Sequence, residues 1–133
     1  MENLDNFIKG MPKAELHVHV EGTLEPGLKF QLAKRNNLDL PYGSEDEMRA
    51  AYDFNDLTSF LKVYYEGMSV LLTEQDFYEL TYAYLLKAHY QNVVYAEIFF
   101  DPQAHTSRGI AFDTVINGIR RAQIDAEKKH GIM

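Results

Sequence analysis

A run with strand character, residues 13–22, most constrains how this chain can fold. It reads Lys-Ala-Glu-Leu-His-Val-His-Val-Glu-Gly. Side chains two residues apart on a strand point the same way, so His17 and His19 are predicted to project from one face. The opposite face is apolar and is expected to lie under helices: Leu16, Val18 and Val20. The two imidazoles are therefore expected to lie close enough to share one metal ion.

Metal binding is one of two interpretations of this histidine pair. Imidazole is the commonest side-chain ligand of zinc and related ions, but two histidines on a strand can also simply form hydrogen bonds. Glu21 and Gly22 follow at once and end the strand, which places both imidazoles at its carboxyl end. Because α/β barrels carry their chemistry at that end, we favour His17 and His19 as metal ligands.

The remaining sequence predicts alternating strands and helices. The predicted elements are a helix from Pro26 to about Arg35, a solvated loop-rich insertion at 38–53, a helix capped by Asn55, a helix opened by the capping box at 73–76, a strand at about 93–100 and a helix at about 111–129. Crossover connections of this kind build parallel sheets, so the fold class is α/β. We expect residues 1–133 to form a single segment of one domain.

Composition excludes several kinds of partner. The net charge is −7 and no cluster of Lys and Arg occurs, which argues against nucleic acid and anionic membranes. No stretch has the apolar length of a transmembrane helix, and the first twenty residues lack the features of a signal peptide. The chain contains no cysteine, so it has no disulfide framework and a cytoplasmic location is expected.

Two segments resemble a known family. Residues 15–26, Glu-Leu-His-Val-His-Val-Glu-Gly-Thr-Leu-Glu-Pro, resemble the opening of the adenosine/adenine deaminase family, which belongs to the amidohydrolase superfamily of metal-dependent TIM barrels. Residues 94–106, Val-Tyr-Ala-Glu-Ile-Phe-Phe-Asp-Pro-Gln-Ala-His-Thr, resemble its second strand and following loop. Glu21 stands where the adenosine-specific branch usually has Asp, and together with the Phe-Phe-Asp-Pro-Gln-Ala-His-Thr segment it resembles the bacterial adenine deaminase branch.

The resemblance implies a fold. The fold would be the N-terminal part of a (β/α)₈ TIM barrel. The barrel would be incomplete in this chain, because a whole barrel takes about 250 residues. In the family pattern the third barrel strand would be starting at Gly131-Ile132-Met133. We therefore expect the chain to be the N-terminal piece of a larger barrel.

The resemblance also implies a reaction. It would be the zinc-dependent hydrolytic deamination of adenine to hypoxanthine and ammonia, in purine salvage. His17 and His19 would be two of the Zn²⁺ ligands. The family's other ligands and its catalytic acid and base lie on later strands, beyond Met133. We therefore assign no catalytic residue within this chain.

A purine pocket follows from the same resemblance. Glu21 would face the substrate at the pocket rim, although a loop carboxylate in water is the alternative. Gly22 would allow either a tight turn of the backbone or a close approach of the substrate to it. Phe60 and Tyr64 lie on the helix whose counterpart gates the pocket in the family, although an aromatic stripe of this spacing also suits a core. Three polar residues of the loop after the second strand are expected at the same rim: Asp101, Gln103 and His105.

Two alternatives to adenine deamination stay open. In the first, the substrate would be adenosine or another 6-aminopurine, because the discrimination between adenine and these compounds depends largely on the single residue Glu21. The chain would otherwise be a catalytically inactive fragment with a structural or interaction role. The expected partner is a small-molecule purine, and the isolated chain is expected to be inactive. It is also expected to self-associate, because unpaired strand edges invite pairing with other chains.

Overall fold

Two parallel strands and a set of helices make up the computed structural model, which describes residues 2–133. The elements are α1 (Glu2–Gly10), β1 (Lys13–His19), a 3₁₀ turn (Val20–Thr23), α2 (Pro26–Arg35), α3 (Glu45–Ala50), α4 (Leu57–Met68), α5 (Glu74–Tyr90), β2 (Val93–Phe99), α6 (Pro102–Thr106) and α7 (Phe112–His130). Among these described residues, no helix combines the length and apolar character that crossing a membrane requires.

The strands pair in the predicted parallel orientation. Their register runs from Lys13 opposite Val93 to His19 opposite Phe99. Because both strands run in the same direction, their carboxyl ends lie at one edge of the sheet. The residues that follow β2 are therefore brought beside His19.

The backbone of Met133 lies beside β2 on the side away from β1. Gly131 ends α7 in a left-handed conformation with φ of 71°, which turns the chain back toward the sheet. The Met133 N–H donates to the Val94 carbonyl at 3.0 Å, and the Ala96 N–H donates to the Met133 carbonyl at 2.8 Å. These two bonds are those of a neighbouring strand, as expected where the third barrel strand begins.

The predicted alternation of faces along β1 is wrong in detail. The register shifts between Glu15 and Val18, and His17 adopts a left-handed backbone with φ of 62°. An irregularity of this kind turns neighbouring side chains away from strict alternation. Leu16 is consequently 61% exposed, whereas Val20 is fully buried.

The segment from 38 to 56 differs from the prediction in two respects. It contains α3, whose first turn is capped by the Ser44 hydroxyl, and Met48 on that helix is fully buried, so the insertion is not simply solvated. The next helix, α4, is capped by Asp56 and not by Asn55. The Asp56 carboxylate accepts a hydrogen bond from the Ser59 N–H at 2.7 Å, which satisfies one free donor of the helix start.

The predicted capping box at the start of α5 is confirmed and also joins two helices. The Thr73 hydroxyl accepts from the Asp76 N–H, and the Asp76 carboxylate accepts from the Thr73 N–H at 2.9 Å. The same buried carboxylate accepts from the Asn36 amide at 2.9 Å and pairs with Arg35. The end of α2 is thereby fixed to the start of α5.

The core lies where the 3₁₀ turn, α2, α5 and α7 meet. Its main cluster consists of Val20, Leu24, Leu32, Ala33, Val70, Leu71, Phe77, Leu80, Val115 and Ile119. Gly118 lets α7 approach α5 closely, because a Cβ there would overlap the Glu74 carbonyl oxygen and lie 2.8 Å from the Phe77 Cβ. Because the overlapping oxygen belongs to the backbone of α5, it cannot move aside as a flexible side chain could.

Replacing Gly118 with Ala is therefore expected to lower the free energy of unfolding by about 1–3 kcal/mol, through overpacking of α7 against α5. Urea-induced unfolding of the purified full-length protein measures this loss. Gly10→Ala is the matched control, since a Cβ at Gly10 meets nothing within 4 Å and is expected to leave stability unchanged. Equal stability of both variants would contradict overpacking at this contact.

Candidate metal and purine site

The imidazoles of His17 and His19 lie together at the carboxyl end of β1. Their ring centroids are 5.3 Å apart, and the Phe99 ring lies 4.7 Å from that of His17. When two imidazoles bind one tetrahedral zinc, with Zn–N distances of about 2.0–2.1 Å, their centroids lie roughly 5 Å apart. The observed spacing therefore fits joint ligation of one ion. The bulge at His17 contributes to this arrangement, since strand irregularities near sites re-aim side chains.

These two imidazoles would not be sufficient for a metal site on their own. Within residues 2–133, no group of three or more His, Cys, Asp or Glu side chains is placed to hold a metal ion. A catalytic zinc site uses three protein ligands and one open position. The donor set of the described residues therefore suits zinc in kind and falls short of it in number.

Glu21 is buried, in contrast to the alternative that placed its carboxylate in water. The residue is 4% exposed. Its Oε1 accepts a hydrogen bond from the Asp101 N–H at 2.8 Å and lies 2.8 Å from the His105 Nε2. Its Oε2 is buried and has no hydrogen-bond partner among residues 2–133. One oxygen is thus fixed by the protein, and the other has no donor within the described residues.

The hydrogen bonds of His105 define its tautomer. An Arg108 guanidinium nitrogen lies 3.0 Å from the His105 Nδ1. Because a guanidinium only donates, Nδ1 is the acceptor and the ring hydrogen lies on Nε2, where it is donated to Glu21. His105 is fully buried, with its ring against the edge of Phe77 at 4.8 Å. Arg108 was not expected at the site. The sequence feature that could have identified Arg108 is its position three residues after His105, because this spacing brings side chains together at a helix end.

Tyr64 and Asp101 link α4 to the loop after β2. The Tyr64 hydroxyl donates to the Asp101 Oδ2 at 2.7 Å. Burial raises the pKa of Tyr64 well above its ordinary value, and the bond to Asp101 and the charge of Glu21 raise it further. Tyr64 therefore stays protonated and acts as a donor. The other carboxylate oxygen of Asp101, Oδ1, lies 3.8 Å from the His19 Nδ1.

The residues predicted to bind substrate surround one small cavity. Its volume is about 30 Å³, enough for a water and far too small for a purine. Its lining comprises Glu21, Gly22, Leu24, Tyr52, Phe54, Phe60, Val63, Tyr64 and Gly67. Tyr52 was not expected there, because it lies in the segment predicted to be solvated. The sequence feature that indicates an aromatic wall of the cavity is the series of aromatic residues at positions 52, 54, 60 and 64.

Phe60 and Gly22 differ in how far they meet their expected roles. Phe60 stacks on Tyr64 with ring centroids 5.7 Å apart and stays 39% exposed, so it is not a fully buried core residue. Gly22 has no positive φ, and a Cβ there would make an ordinary contact with the Tyr64 ring at 3.6 Å. Neither strain nor crowding among the described residues therefore requires glycine at this position.

The fold and the paired imidazoles define the class of protein. Parallel strands joined by helices, with two adjacent imidazoles at the carboxyl end of β1, form the N-terminal part of an α/β barrel of the amidohydrolase type. The chain belongs to the adenosine deaminase family, whose family model matches residues 12–133.

Two relatives of this chain are named adenine deaminase. The chain is 60% identical to the adenine deaminase of Vibrio parahaemolyticus over 129 residues, which is 97% of this chain and 38% of that protein. It is 63% identical to the adenine deaminase of Ralstonia nicotianae over 120 residues, which is 90% of this chain and 35% of that protein. The chain thus spans little more than a third of these relatives.

Solved structures give the same result. The crystal structure of adenine deaminase from Arthrobacter aurescens superposes with a TM-score of 0.88 at 53% identity, over 90% of this chain and 37% of that one. An amidohydrolase from Burkholderia ambifaria, solved with bound zinc, gives a TM-score of 0.80 at 27% identity, over 96% of this chain and 35% of that one. The predicted fold class and family are confirmed.

The hydrogen bond from His105 to Glu21 is expected to stabilise the carboxyl ends of both strands. Replacing His105 with Leu should lower the free energy of unfolding by about 3 kcal/mol, because it leaves a buried carboxylate short of a donor. Adding Glu21→Leu should then cost less than Glu21→Leu costs alone, a coupling that urea unfolding of the full-length protein measures.

His130→Leu serves as the comparison for this double-mutant cycle. His130 forms a partly buried bond to the Tyr82 hydroxyl at 3.1 Å, with no carboxylate involved, so a smaller loss is expected. Strict additivity of the Glu21 and His105 substitutions would contradict the stated coupling.

Proposed function

We propose that this chain forms the N-terminal part of a zinc-dependent enzyme that deaminates adenine hydrolytically to hypoxanthine and ammonia. The observation that carries the proposal is the His17–His19 pair, spaced for one zinc, at the carboxyl end of a barrel strand. The adenine deaminases at 60% and 63% identity support the choice of reaction. Residues 1–133 would act as a single segment of the barrel domain.

The described residues would share the work with later parts of the barrel. His17 and His19 would hold the zinc, which when bound lowers the pKa of a water to about 7. The general acid and the remaining ligands would come from strands that follow Met133, so we assign no catalytic residue here. Phe99, packed against both imidazoles, would restrict their rotation and exclude water from one side.

Glu21, Gly22, Phe60 and Tyr64 would bind the purine. They line one cavity, and the unpartnered Oε2 of Glu21 is an acceptor suited to a ring N–H of a bare purine. Because the cavity is smaller than a purine, Phe60 would have to move when substrate enters, while Tyr64 would stay bonded to Asp101. The partial exposure of Phe60, 39%, at the surface of α4 favours such a movement.

The bare base is preferred here over adenosine, which stays the second candidate along with other 6-aminopurines. The Glu21 carboxylate is held by Asp101 and His105, so it occupies fixed space at the strand end. A ribose would compete for that space. A catalytically inactive fragment is the remaining alternative, and the incomplete ligand set among residues 2–133 is what favours it.

The proposed setting is the cytoplasm, with a small purine as the partner and neither nucleic acid nor membrane involved. The net charge of −7 and the lack of cysteine support this setting. We also propose that the isolated chain self-associates, because Leu16, Val94, Tyr95 and Phe99 on the two strands are exposed apolar side chains.

The full-length protein is expected to bind one zinc per subunit through His17 and His19. The His17→Ala, His19→Ala double variant should lose tight metal retention, because each substitution removes a ligand and leaves an incomplete shell. Elemental analysis after gel filtration measures the zinc content. His89→Ala is the matched control, as His89 lies near the end of α5 with its ring beside that of His130. Full zinc content in the double variant would disprove ligation by these residues.

Adenine is expected to be a much better substrate than adenosine for the full-length protein. A pocket without room and partners for ribose loses binding energy with the larger substrate. The ratio of kcat/KM for the two substrates measures the preference. Replacing Glu21 with Asp should reduce this ratio, since the shorter side chain frees space. A clear preference of the unaltered protein for adenosine would overturn the choice of substrate and leave the family unchanged.

A further inference from the structure

Asp101 is held in the loop after β2 through both its backbone and its side chain. It follows β2 and precedes α6, and its backbone N–H donates to the buried Oε1 of Glu21 at 2.8 Å. Its Oδ2 accepts the Tyr64 hydroxyl at 2.7 Å. The backbone is thus fixed to the end of β1, and the carboxylate is fixed to α4. These two bonds leave Oδ1 as the oxygen directed at β1.

This second oxygen of Asp101 faces a predicted metal ligand. Oδ1 lies 3.8 Å from the Nδ1 of His19, and the two side chains are 36% and 45% exposed. This distance is too long for a hydrogen bond, but a small side-chain rotation would close it. Joining Nδ1–H to a carboxylate leaves Nε2 of the imidazole as the unprotonated nitrogen, which is the form that binds a metal.

We propose that Asp101 is a positioning residue for His19: its carboxylate, held by Tyr64, orients the imidazole and fixes the tautomer that binds the metal. This inference rests on the proposed function, because it requires that His19 ligates zinc. Partners of this kind typically change metal affinity by about 10- to 100-fold. A positioning role for Asp101 also explains why the hydroxyl of Tyr64, on a helix remote from β1 in sequence, is directed at this loop carboxylate.

The competing role for Asp101 is that of a simple anchor for the loop after β2. A loop anchor would affect the stability of the protein with and without metal alike. An orienting partner would affect metal affinity while leaving the metal-free protein as stable as before. The anchoring bond to Glu21 uses the backbone N–H, so a change in the Asp101 side chain leaves it intact.

The experiment compares Asp101→Asn with the unaltered full-length protein. The zinc dissociation constant, measured by competition with a chelator, is expected to rise about 10- to 100-fold. The midpoint of thermal unfolding of the metal-free protein is expected to stay unchanged. Tyr64→Phe, which releases Oδ2 of Asp101, provides a second variant and is expected to weaken zinc binding in the same direction.

Glu15→Gln is the matched control. Glu15 lies on β1 and accepts the Tyr84 hydroxyl at 2.6 Å, so its carboxylate, like that of Asp101, is held by a tyrosine, but it does not pair with either histidine. It is expected to leave zinc affinity unchanged.

Three results would overturn the inference while leaving the proposed function intact. These are unchanged zinc affinity in Asp101→Asn, an equal loss of affinity in Glu15→Gln, or a fall in metal-free stability that accompanies the loss. A full-length protein that binds no zinc at all would contradict the proposed function as well.

Discussion

The buried carboxylate of Glu21 joins the two halves of the site. Its Oε1 receives the N–H of Asp101 and the Nε2–H of His105, so the end of β1 is bonded both to the end of β2 and to α6. A carboxylate on a residue that is only 4% exposed is tolerated when donors compensate for lost water, and here two donors meet one oxygen. The positions of His19 and Asp101 relative to each other depend on this junction.

The elements with strong local signals could be predicted from the sequence. The capping box at Thr73 predicted the start of α5, Pro26 predicted the start of α2, and the alternation of strands and helices indicated the parallel pairing. These features depend on residues within a few positions of one another. The paired histidines were also recognisable, because two imidazoles separated by one residue at the end of a strand are well placed to share a metal ion.

What could not be predicted depends on contacts between distant residues. The bulge that gives His17 a positive φ arises from the register against β2, which a pattern along one strand does not contain. The burial of Glu21 requires His105, 84 residues further along the chain. Met48 and Tyr52 lie in a polar, acidic segment, so composition favoured solvent and concealed the two side chains that pack inward.

The central claim is that His17 and His19 bind one metal ion together, and X-ray diffraction from the zinc-loaded full-length protein tests it most directly. Anomalous data collected at the zinc absorption edge locate the ion without assumptions about its ligands. Joint ligation predicts one peak between the two imidazoles, about 2.0–2.1 Å from a nitrogen of each. A peak bound to only one of these histidines, or located away from the carboxyl end of β1, would contradict it.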